Sequence, residues 1–468
     1  MLFSSMTFIY VFLPIVGALY LLARKDLQNY ILLAASILFY AWGEPRYLAI
    51  MLLTILANYI GANYISRSHN VKHRKAILVL TIFINLSFLF YFKYFNFVIE
   101  NINDLFAANI KAIKVIMPIG ISFYTFQAMS YLVDVYRGDV KVQKNIYNLA
   151  LYICLFPQLI AGPIVKYHDI DEQINSRIVS FDKVAYGIKR FIIGLSKKML
   201  IANTLGAVAD KIFAQPVEQF DCLTAWIGAF AYSLQLFYDF SGYSDMAIGL
   251  GSIFGFKFLE NFNYPYISKS ITEFWRRWHI SLSTWFKEYL YIPLGGNRVS
   301  KARNYVNLFI VFLATGFWHG AAWNFIFWGL WHGVFIIFEK MSGWHKKTGG
   351  FFLNLIQHIY CVLAFVIGWV MFRADNMVYA WSYIKNMFGF ESQHKIAYEF
   401  AYYIDNIEII AFCTAIICAM PVFNKMLEIK YEHKVLRSVI NIWLTVLFIV
   451  STASIAASTY NPFIYFRF

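Results

Sequence analysis

The chain has 468 residues, of which 60% are hydrophobic, 20% aromatic and only 14% charged. A soluble globular domain carries roughly 25% charged residues and cannot bury this much apolar surface in one core. The composition also excludes disordered, collagen-like and disulfide-stapled proteins. It predicts an all-α, polytopic membrane protein. Because no polar linker divides the chain, residues 1–468 are expected to form a single domain.

The 40 Lys and Arg residues, against 26 Asp and Glu residues, give a net charge of +14. In a soluble protein this excess would point to nucleic acid. Here the basic residues fall in short clusters between apolar runs, as they do in cytoplasmic loops beside anionic lipid. The charge therefore predicts contact with a lipid bilayer and no nucleic-acid partner. The five cysteines show neither metal-ligand nor disulfide spacing, so no metal site is expected.

A membrane-spanning helix needs about 20 apolar residues, and basic loops mark its cytoplasmic end. The first run ends at Arg24 and Lys25, which predicts a retained first span with the N-terminus outside the cytoplasm. The runs that follow this pattern before residue 137 are residues 3–23, the run ending at residue 42, and residues 47–65, 76–98 and 117–136.

Between residues 137 and 303 the pattern is weaker. Residues 147–164 contain Pro157 and are expected to form a re-entrant helix, whereas residues 191–208 and 223–240 are expected to cross. Irregular backbone is tolerated at membrane depth only where protein or water satisfies it, which indicates a cavity. The later runs are residues 305–318, 323–338, 351–372, 407–420 and 438–456. We expect about ten to twelve crossings, with both termini extracytoplasmic.

Two carboxylates, Asp239 and Asp245, interrupt the apolar sequence QLFYDFSGYSDMAIG. They are candidates for a proton relay, for structural pairing with Arg or Lys, or for orienting a hydroxyl group. The glycines that follow imitate a dinucleotide-binding loop, but they lack the strand before it and the acid after it. We therefore expect them to serve helix packing.

The segment ITEFWRRWHISLSTWFKEYLYIPLGGNR holds five charged side chains. At about 3 kcal/mol for each charge in a span, its insertion would cost roughly 15 kcal/mol. It is therefore expected at an interface, which its tryptophans also suit, or along a polar cavity. Arg276 and His279 are three residues apart and would share one face of a helix. A guanidinium beside an imidazole there can bind a phosphate or thioester oxygen.

His319 and His332 each lie in a WHG triplet within ATGFWHGAAWNFIFWGLWHGVF. An ionisable residue in an apolar helix is a candidate functional residue, although a structural role is the alternative for either histidine. Thirteen helical residues span about 20 Å, so the two cannot form a metal pair, and at most one belongs to a reaction centre. The small residues around His319 favour close helix approach or substrate passage.

No zinc-protease, serine-hydrolase or P-loop motif occurs in the sequence. A serine or cysteine nucleophile is therefore not indicated. The remaining chemistry is general-base catalysis by histidine on a substrate that is already activated, and acyl transfer from a thioester fits this description.

The strings FWRRWHISLSTWFKEYLYIPLGGNR and FLATGFWHGAAWNFIFWGLWHG closely resemble the membrane-bound O-acyltransferase family. The bacterial branch that acylates cell-surface polymers matches best, and it includes alginate and peptidoglycan O-acetyltransferases and teichoic-acid D-alanyl transferases. The segments MPIGISFYTFQAMSYLVDVYRG, FPQLIAGPI and FYDFSGYSDMAIG are also similar to this branch.

The resemblance implies a helical body around a central tunnel in the bacterial inner membrane. It implies a cytoplasmic thioester donor, either acetyl-CoA or another acyl thioester, no bound cofactor, and a peptidoglycan or alginate-like acceptor. The family's near-invariant histidine matches His319, which implies a general base. Its upstream histidine matches His279, for which we expect a role in polarising or orienting the thioester carbonyl. Donor or substrate binding is assigned to Arg276, Arg277, Trp318, Asn324 and Asp239.

The chain ends in NPFIYFRF, and residues 462–468 are expected to form an extracytoplasmic aromatic motif. Members of this branch, or their small partner subunits, resemble it in ending with a tyrosine-bearing motif. The resemblance implies that Tyr465 accepts the acyl group and passes it to an extracytoplasmic SGNH-type esterase partner. The alternative is an anchor in the interfacial aromatic belt.

Two rival functions remain open at the level of sequence. A transporter would use the buried aspartates and histidines as a proton path and form no covalent product, although no internal repeat is visible. A scaffold would anchor a secreted enzyme through the C-terminal motif and would not need His319.

Overall fold

A computed structural model describes residues 1–160, 162–390, 396, 398, 400–423, 434–458 and 460–462. These residues form helices and loops without a strand, which confirms the all-α prediction. The first ten helices are α1 (Leu13–Leu22), α2 (Gln28–Gly43), α3 (Leu48–Arg67), α4 (Val71–Leu89), α5 (Phe95–Phe106), α6 (Ile121–Arg137), α7 (Ile146–Cys154), α8 (Phe156–Leu159), α9 (Tyr167–Asn175) and α10 (Phe181–Ser196). The others are α11 (Asn203–Phe213), α12 (Cys222–Ile253), α13 (Ile271–Arg277), α14 (Ile280–Phe286), α15 (Lys301–His319), α16 (Trp323–Ser342), α17 (Phe351–Arg373), α18 (Met377–Met387), α19 (Asn406–Cys418) and α20 (Lys434–Ala457).

The chain forms two compact units. Unit 1 comprises Met1–Phe191 and Ser244–Leu259, and unit 2 comprises Ile192–Tyr243 and Glu260–Phe468. Unit 1 holds α1–α9, most of α10 and the C-terminal end of α12. Unit 2 holds the end of α10, α11, the rest of α12 and every helix from α13 onward.

Several helical stretches are long and apolar enough to cross a membrane, as the composition predicts. Two shorter apolar helices, Phe8–Leu22 and Asn406–Cys418, accompany them. Within the part of the chain that the structure describes, five stretches meet the length and composition of a span: Pro45–Arg67, Val71–Phe106, Phe181–Phe213, Phe351–Arg373 and Val435–Ala457.

The segment with Pro157 is an interrupted helix, as its sequence predicts. Helix α7 ends at Cys154, and α8 restarts for one turn with Pro157 in its first positions. The break leaves the Phe156 N–H without a partner in its own helix, and this group donates to Oγ of Ser36 at 3.1 Å. A buried side-chain acceptor therefore replaces the helical hydrogen bond that the break removes.

The glycines that follow Asp245 serve packing. A Cβ atom on Gly249 would lie 2.5 Å from the carbonyl oxygen of Gly187, so α10 and α12 approach each other backbone to backbone within unit 1. Only hydrogen fits in this space, so Gly249 serves helix packing, as the sequence predicts.

Candidate functional site: two histidines around Trp318

The charged segment of the sequence forms two short helices rather than a span. Ser270 begins α13 by accepting a hydrogen bond from the Glu273 N–H at 3.0 Å. The buried carboxylate of Glu339 accepts from the next two backbone donors, Ile271 N–H at 2.6 Å and Thr272 N–H at 2.9 Å. A carboxylate at a helix N-terminus also interacts favourably with the helix dipole. Glu339 on α16 therefore fixes the start of the segment that leads to His279.

His279 lies in the break between α13 and α14, in an uncommon backbone conformation. Its φ of 45° and ψ of 54° are left-handed, a region that non-glycine residues rarely adopt and that costs about 1–3 kcal/mol. The side chain is fully buried. The Phe240 ring meets the His279 ring edge-on, with their centroids 4.6 Å apart. Strain of this kind persists where the surroundings fix it, and it makes His279 a candidate site residue.

Asn261 determines which nitrogen of His279 carries the proton. Oδ1 of Asn261 accepts from the Ser281 N–H at 3.1 Å and from the Ser281 hydroxyl at 2.9 Å, so this atom is the amide oxygen. Nδ1 of His279 lies 3.2 Å from the same oxygen and must donate to it. In the neutral ring, Nε2 then bears the lone pair.

Burial keeps the ring of His279 uncharged. This residue lies outside the five candidate spans. Complete burial lowers the pKa of His279 to about 3, because the imidazolium would lose its hydration. At neutral pH the ring is therefore a hydrogen-bond acceptor at Nε2, and it does not donate from that atom.

His319 is the last residue of α15 and is 6% exposed. The rings of Trp328 and Phe372 meet its ring edge-on, with centroids 4.8 Å and 5.3 Å away. The glycine one turn earlier permits this arrangement, since a Cβ atom on Gly316 would lie 2.6 Å from the carbonyl oxygen of Phe325 in α16. The prediction of close helix approach beside His319 is confirmed.

Trp318 joins the two histidines into one site. Its ring centroid lies 6.1 Å from that of His279 and 4.9 Å from that of His319. The ring centroid of His332 lies 5.3 Å from that of Trp328. The aromatic residues around these histidines, Phe240, Trp318, Trp328 and Phe372, belong to helices α12, α15, α16 and α17 of unit 2. The structure thus brings His279 and His319 to the same tryptophan, Trp318, whereas His319 and His332 both contact Trp328.

The expectation that Arg276 and His279 share a helical face is wrong. Helix α13 ends at Arg277, Trp278 is extended, and the left-handed residue His279 turns the chain. Arg276 is consequently exposed while His279 is buried. Arg277 pairs with Glu273 at 2.9 Å and donates to the carbonyl of Asn263 at 3.1 Å.

The remaining predicted site residues have structural contacts of their own. Asn324 is buried at the start of α16 and donates to the carbonyl of Ala374 at 2.8 Å. Asp239 pairs with Lys198 at 2.7 Å in unit 2, and Asp245 pairs with Arg190 at 2.6 Å in unit 1. Of the three roles considered for these aspartates, pairing with a cation is the one observed. Tyr465 lies outside the described residues.

Sequence reasoning missed Asn261 and Lys198. Asn261 belongs to no recognisable motif, and only its contact with His279 reveals it. The sequence could have indicated Lys198, because a lysine inside an otherwise apolar run requires a partner. Within the described ranges, no three His, Cys, Asp or Glu residues lie together in a way that could hold a metal ion.

The fold is that of an all-α membrane protein. Residues 141–382 match the model of the membrane-bound O-acyltransferase family. The probable alginate O-acetylase AlgI of Pseudomonas aeruginosa is 45% identical over 395 residues, which cover 83% of this chain and 75% of the relative. The corresponding protein of Pseudomonas putida is 39% identical, with both chains covered completely. The peptidoglycan O-acetyltransferase of Helicobacter pylori is 36% identical and covers 83% of this chain and 80% of its own.

The chain belongs to the membrane-bound O-acyltransferase family. It is an integral membrane enzyme that transfers an acyl group from an acyl donor. The enzyme and family predictions made from the sequence are confirmed.

Proposed function

We propose that this chain moves an acetyl or other short acyl group from a cytoplasmic thioester, across the bacterial inner membrane, for O-acetylation of a peptidoglycan or alginate-like polysaccharide. The names of the relatives support this acceptor class. The observation that carries the chemistry is the pair of buried histidines whose rings both contact Trp318. A buried, aromatic-lined site excludes the water that would otherwise hydrolyse the donor.

His319 acts as the general base in this proposal. It takes the proton from the acceptor hydroxyl as that oxygen attacks the thioester carbonyl carbon. The C–O bond forms, the C–S bond breaks, and the leaving thiolate takes up a proton to become the free thiol. General-base assistance of this kind supplies about 10²–10⁴-fold in rate.

For His279 we propose a role different from polarising the thioester carbonyl. Polarising a carbonyl by donation from Nε2 would require the protonated ring, which burial opposes. We therefore propose that neutral His279 accepts a hydrogen bond at Nε2 and orients the attacking hydroxyl. Its Nδ1 contact with Asn261 supports this role.

Tyr465 is the proposed intermediate acceptor. Its phenol would receive the acyl group as an ester and pass it to an extracytoplasmic SGNH-type esterase partner. This direction of transfer requires an extracytoplasmic C-terminus, which agrees with the loop charges. The donor is acetyl-CoA or a carrier-protein thioester, and exposed Arg276, with Arg277 beside it, would bind its polar part. Trp318, Asn324 and Asp239 would line the path of the acyl group.

The test uses the protein in lipid with an isotopically labelled acetyl thioester, and intact-mass and peptide spectrometry to locate the label. We expect label on Tyr465 in the unaltered chain, and a loss of about 10²–10⁴-fold in the rate of labelling in His319→Gln. The matched control is His73→Gln, the same change at an exposed position in unit 1. Near-normal labelling in a folded His319→Gln protein would overturn the assignment of the base. Label on the polysaccharide but never on Tyr465 would overturn the relay alone.

A further inference from the structure

Polar side chains of unit 2 hold the last described residues of the chain. The Tyr460 hydroxyl donates to Oδ2 of Asp210 at 2.7 Å. The Tyr460 carbonyl accepts from Nδ2 of Asn203 at 3.4 Å. Two residues later, the carbonyl of Pro462 accepts a hydrogen bond from the Lys198 ammonium. Residues 460–462 are therefore bound at both ends.

The Lys198 ammonium is available to Pro462 because Asp239 neutralises it. The two charged groups are 2.7 Å apart, and their side chains are 4% and 2% exposed. Lys198 belongs to the π-helical turn Lys197–Ala202, inside the apolar stretch Phe181–Phe213. A charge in such a stretch is costly unless it is paired, and π-helical turns occur frequently at functional sites. An ammonium has three donors, so pairing with Asp239 leaves donors for backbone acceptors.

Arg373 holds the carboxylate of Asp210, which accepts the Tyr460 hydroxyl. Its Nη2 atom lies 2.7 Å from Oδ1 of Asp210, and its side chain is 7% exposed. One oxygen of Asp210 is thus occupied by Arg373, and the other accepts the Tyr460 hydroxyl. Charge-assisted hydrogen bonds of this type are shorter and stronger than neutral ones.

The same part of α12 contacts the lysine that binds the chain end and also the histidine site. Asp239 pairs with the lysine that binds Pro462, and the next residue, Phe240, contacts the His279 ring. Three residues of chain, whatever their conformation, span at most about 11 Å. Holding Pro462 therefore limits the region that Tyr465 can reach.

We propose that Lys198, Asn203, Asp210, Asp239 and Arg373 form a docking site for residues 460–462, which we call the tail dock, and that this site positions Tyr465 for acyl transfer. The inference rests on the proposed function, because Tyr465 is the proposed acceptor. Lys198, Asn203, Asp210 and Arg373 act through the tail and are positioning residues, and Asp239 adds to this role by pairing with Lys198.

The binding of residues 460–462 to the tail dock is tested separately from acyl transfer. A photo-crosslinking amino acid in place of Asn461 is expected to crosslink to peptides of the Lys197–Ala202 turn or of α11. Tyr460→Phe removes one hydroxyl and should reduce this crosslink, whereas Tyr403→Phe is the matched control, since its hydroxyl donates to Gln215 instead. A crosslink unaffected by Tyr460→Phe and by the ion-pair variant described next would overturn the tail dock.

The ion-pair variant is the double change Lys198→Met with Asp239→Asn. Removing one charge alone would leave the other buried and unpaired, which destabilises proteins strongly, whereas neutralising both is far better tolerated. The double variant should therefore fold, as monitored by size-exclusion chromatography and thermal denaturation, and should lose most of the crosslink.

Positioning is measured as the ratio of label on the C-terminal peptide to hydrolysis of the thioester donor. In Tyr460→Phe we expect this ratio to fall by about tenfold to a hundredfold, because a misplaced acceptor reacts slowly while donor hydrolysis continues. A purely structural defect would lower both quantities together and leave the ratio unchanged, which would overturn the positioning role. If the chain with only the crosslinker crosslinks as expected but Tyr465 never carries label, the relay through Tyr465 is refuted. The positioning role is then refuted as well, whereas the binding of residues 460–462 to the tail dock is not.

Discussion

Nδ1 of His279 lies 3.2 Å from Oδ1 of Asn261, and this contact determines the tautomer of a histidine at the centre of the site. The same oxygen accepts two donors of Ser281, so its identity as an acceptor does not depend on the histidine. The ring is consequently held with the proton on Nδ1 and the lone pair on Nε2. Orientation of this kind is what converts a buried imidazole into a defined acceptor.

Asn261→Asp should move the acid limb of the pH–rate profile to higher pH. The variant keeps an acceptor for Nδ1 but adds a negative charge, which favours the protonated ring and raises the pKa of His279 from its present low value. As the pH falls, His279 then gains a proton at Nε2 and stops accepting. Acyl-transfer rates measured across the pH range check this expectation. Asn263→Asp, the same change at an exposed position, is the control, and an identical acid limb in both folded variants would contradict the proposed role.

His168 should make the stability of unit 1 depend on pH. Its Nδ1 lies 3.0 Å from Oδ2 of Asp134 and its Nε2 3.3 Å from Oδ1 of Asp169. The hydrogen bond to Asp134 is the main cause that raises the pKa of His168 above its ordinary value, with burial acting in the opposite direction. The folded state therefore binds this proton more tightly than the unfolded state does. The resulting stabilisation is complete below about pH 6.5 and is lost as the pH rises through the raised pKa.

Thermal denaturation of the detergent-solubilised protein across this pH window measures the effect. His168→Gln carries no titrating group and should lose the part of the pH dependence that the native chain shows near neutrality. The same pH dependence in native chain and variant would show that His168 does not contribute.

Glu339→Gln should destabilise the segment that carries His279. The carboxylate accepts from two backbone donors at the start of α13, and an amide can accept at only one of its two positions while its NH₂ group faces the other donor. We expect a loss of about 1–3 kcal/mol, because a buried donor is left unsatisfied. The midpoint of thermal denaturation should fall and the acyl-transfer rate with it, whereas Glu218→Gln, an exposed control, should change neither. Equal midpoints for the two variants would contradict the capping role.

The sequence was sufficient for the membrane class, the helical architecture and the interruption at Pro157, because composition and proline chemistry act locally. It also predicted correctly that the five-charge segment is not a span. The face shared by Arg276 and His279 was predicted wrongly, since the positive φ of His279 is imposed by contacts with Phe240 and Asn261 and not by the residue itself. Partners distant in sequence, such as Lys198 for Asp239, follow from the fold and not from any local pattern.

Gly316→Ala tests whether the close approach of α15 and α16 sets the position of His319. The new Cβ atom would lie 2.6 Å from the carbonyl oxygen of Phe325, so the two backbones must separate one turn before His319. Overpacking of this kind costs about 1–3 kcal/mol. A displacement of about 1 Å at a catalytic group can cost about 10²-fold in rate, and we expect a loss of that order in acyl transfer. Gly17→Ala is the matched control, because a Cβ atom on Gly17 in α1 has no neighbour within 4 Å. If the two variants transfer acyl groups equally well, the spacing of α15 and α16 does not position His319.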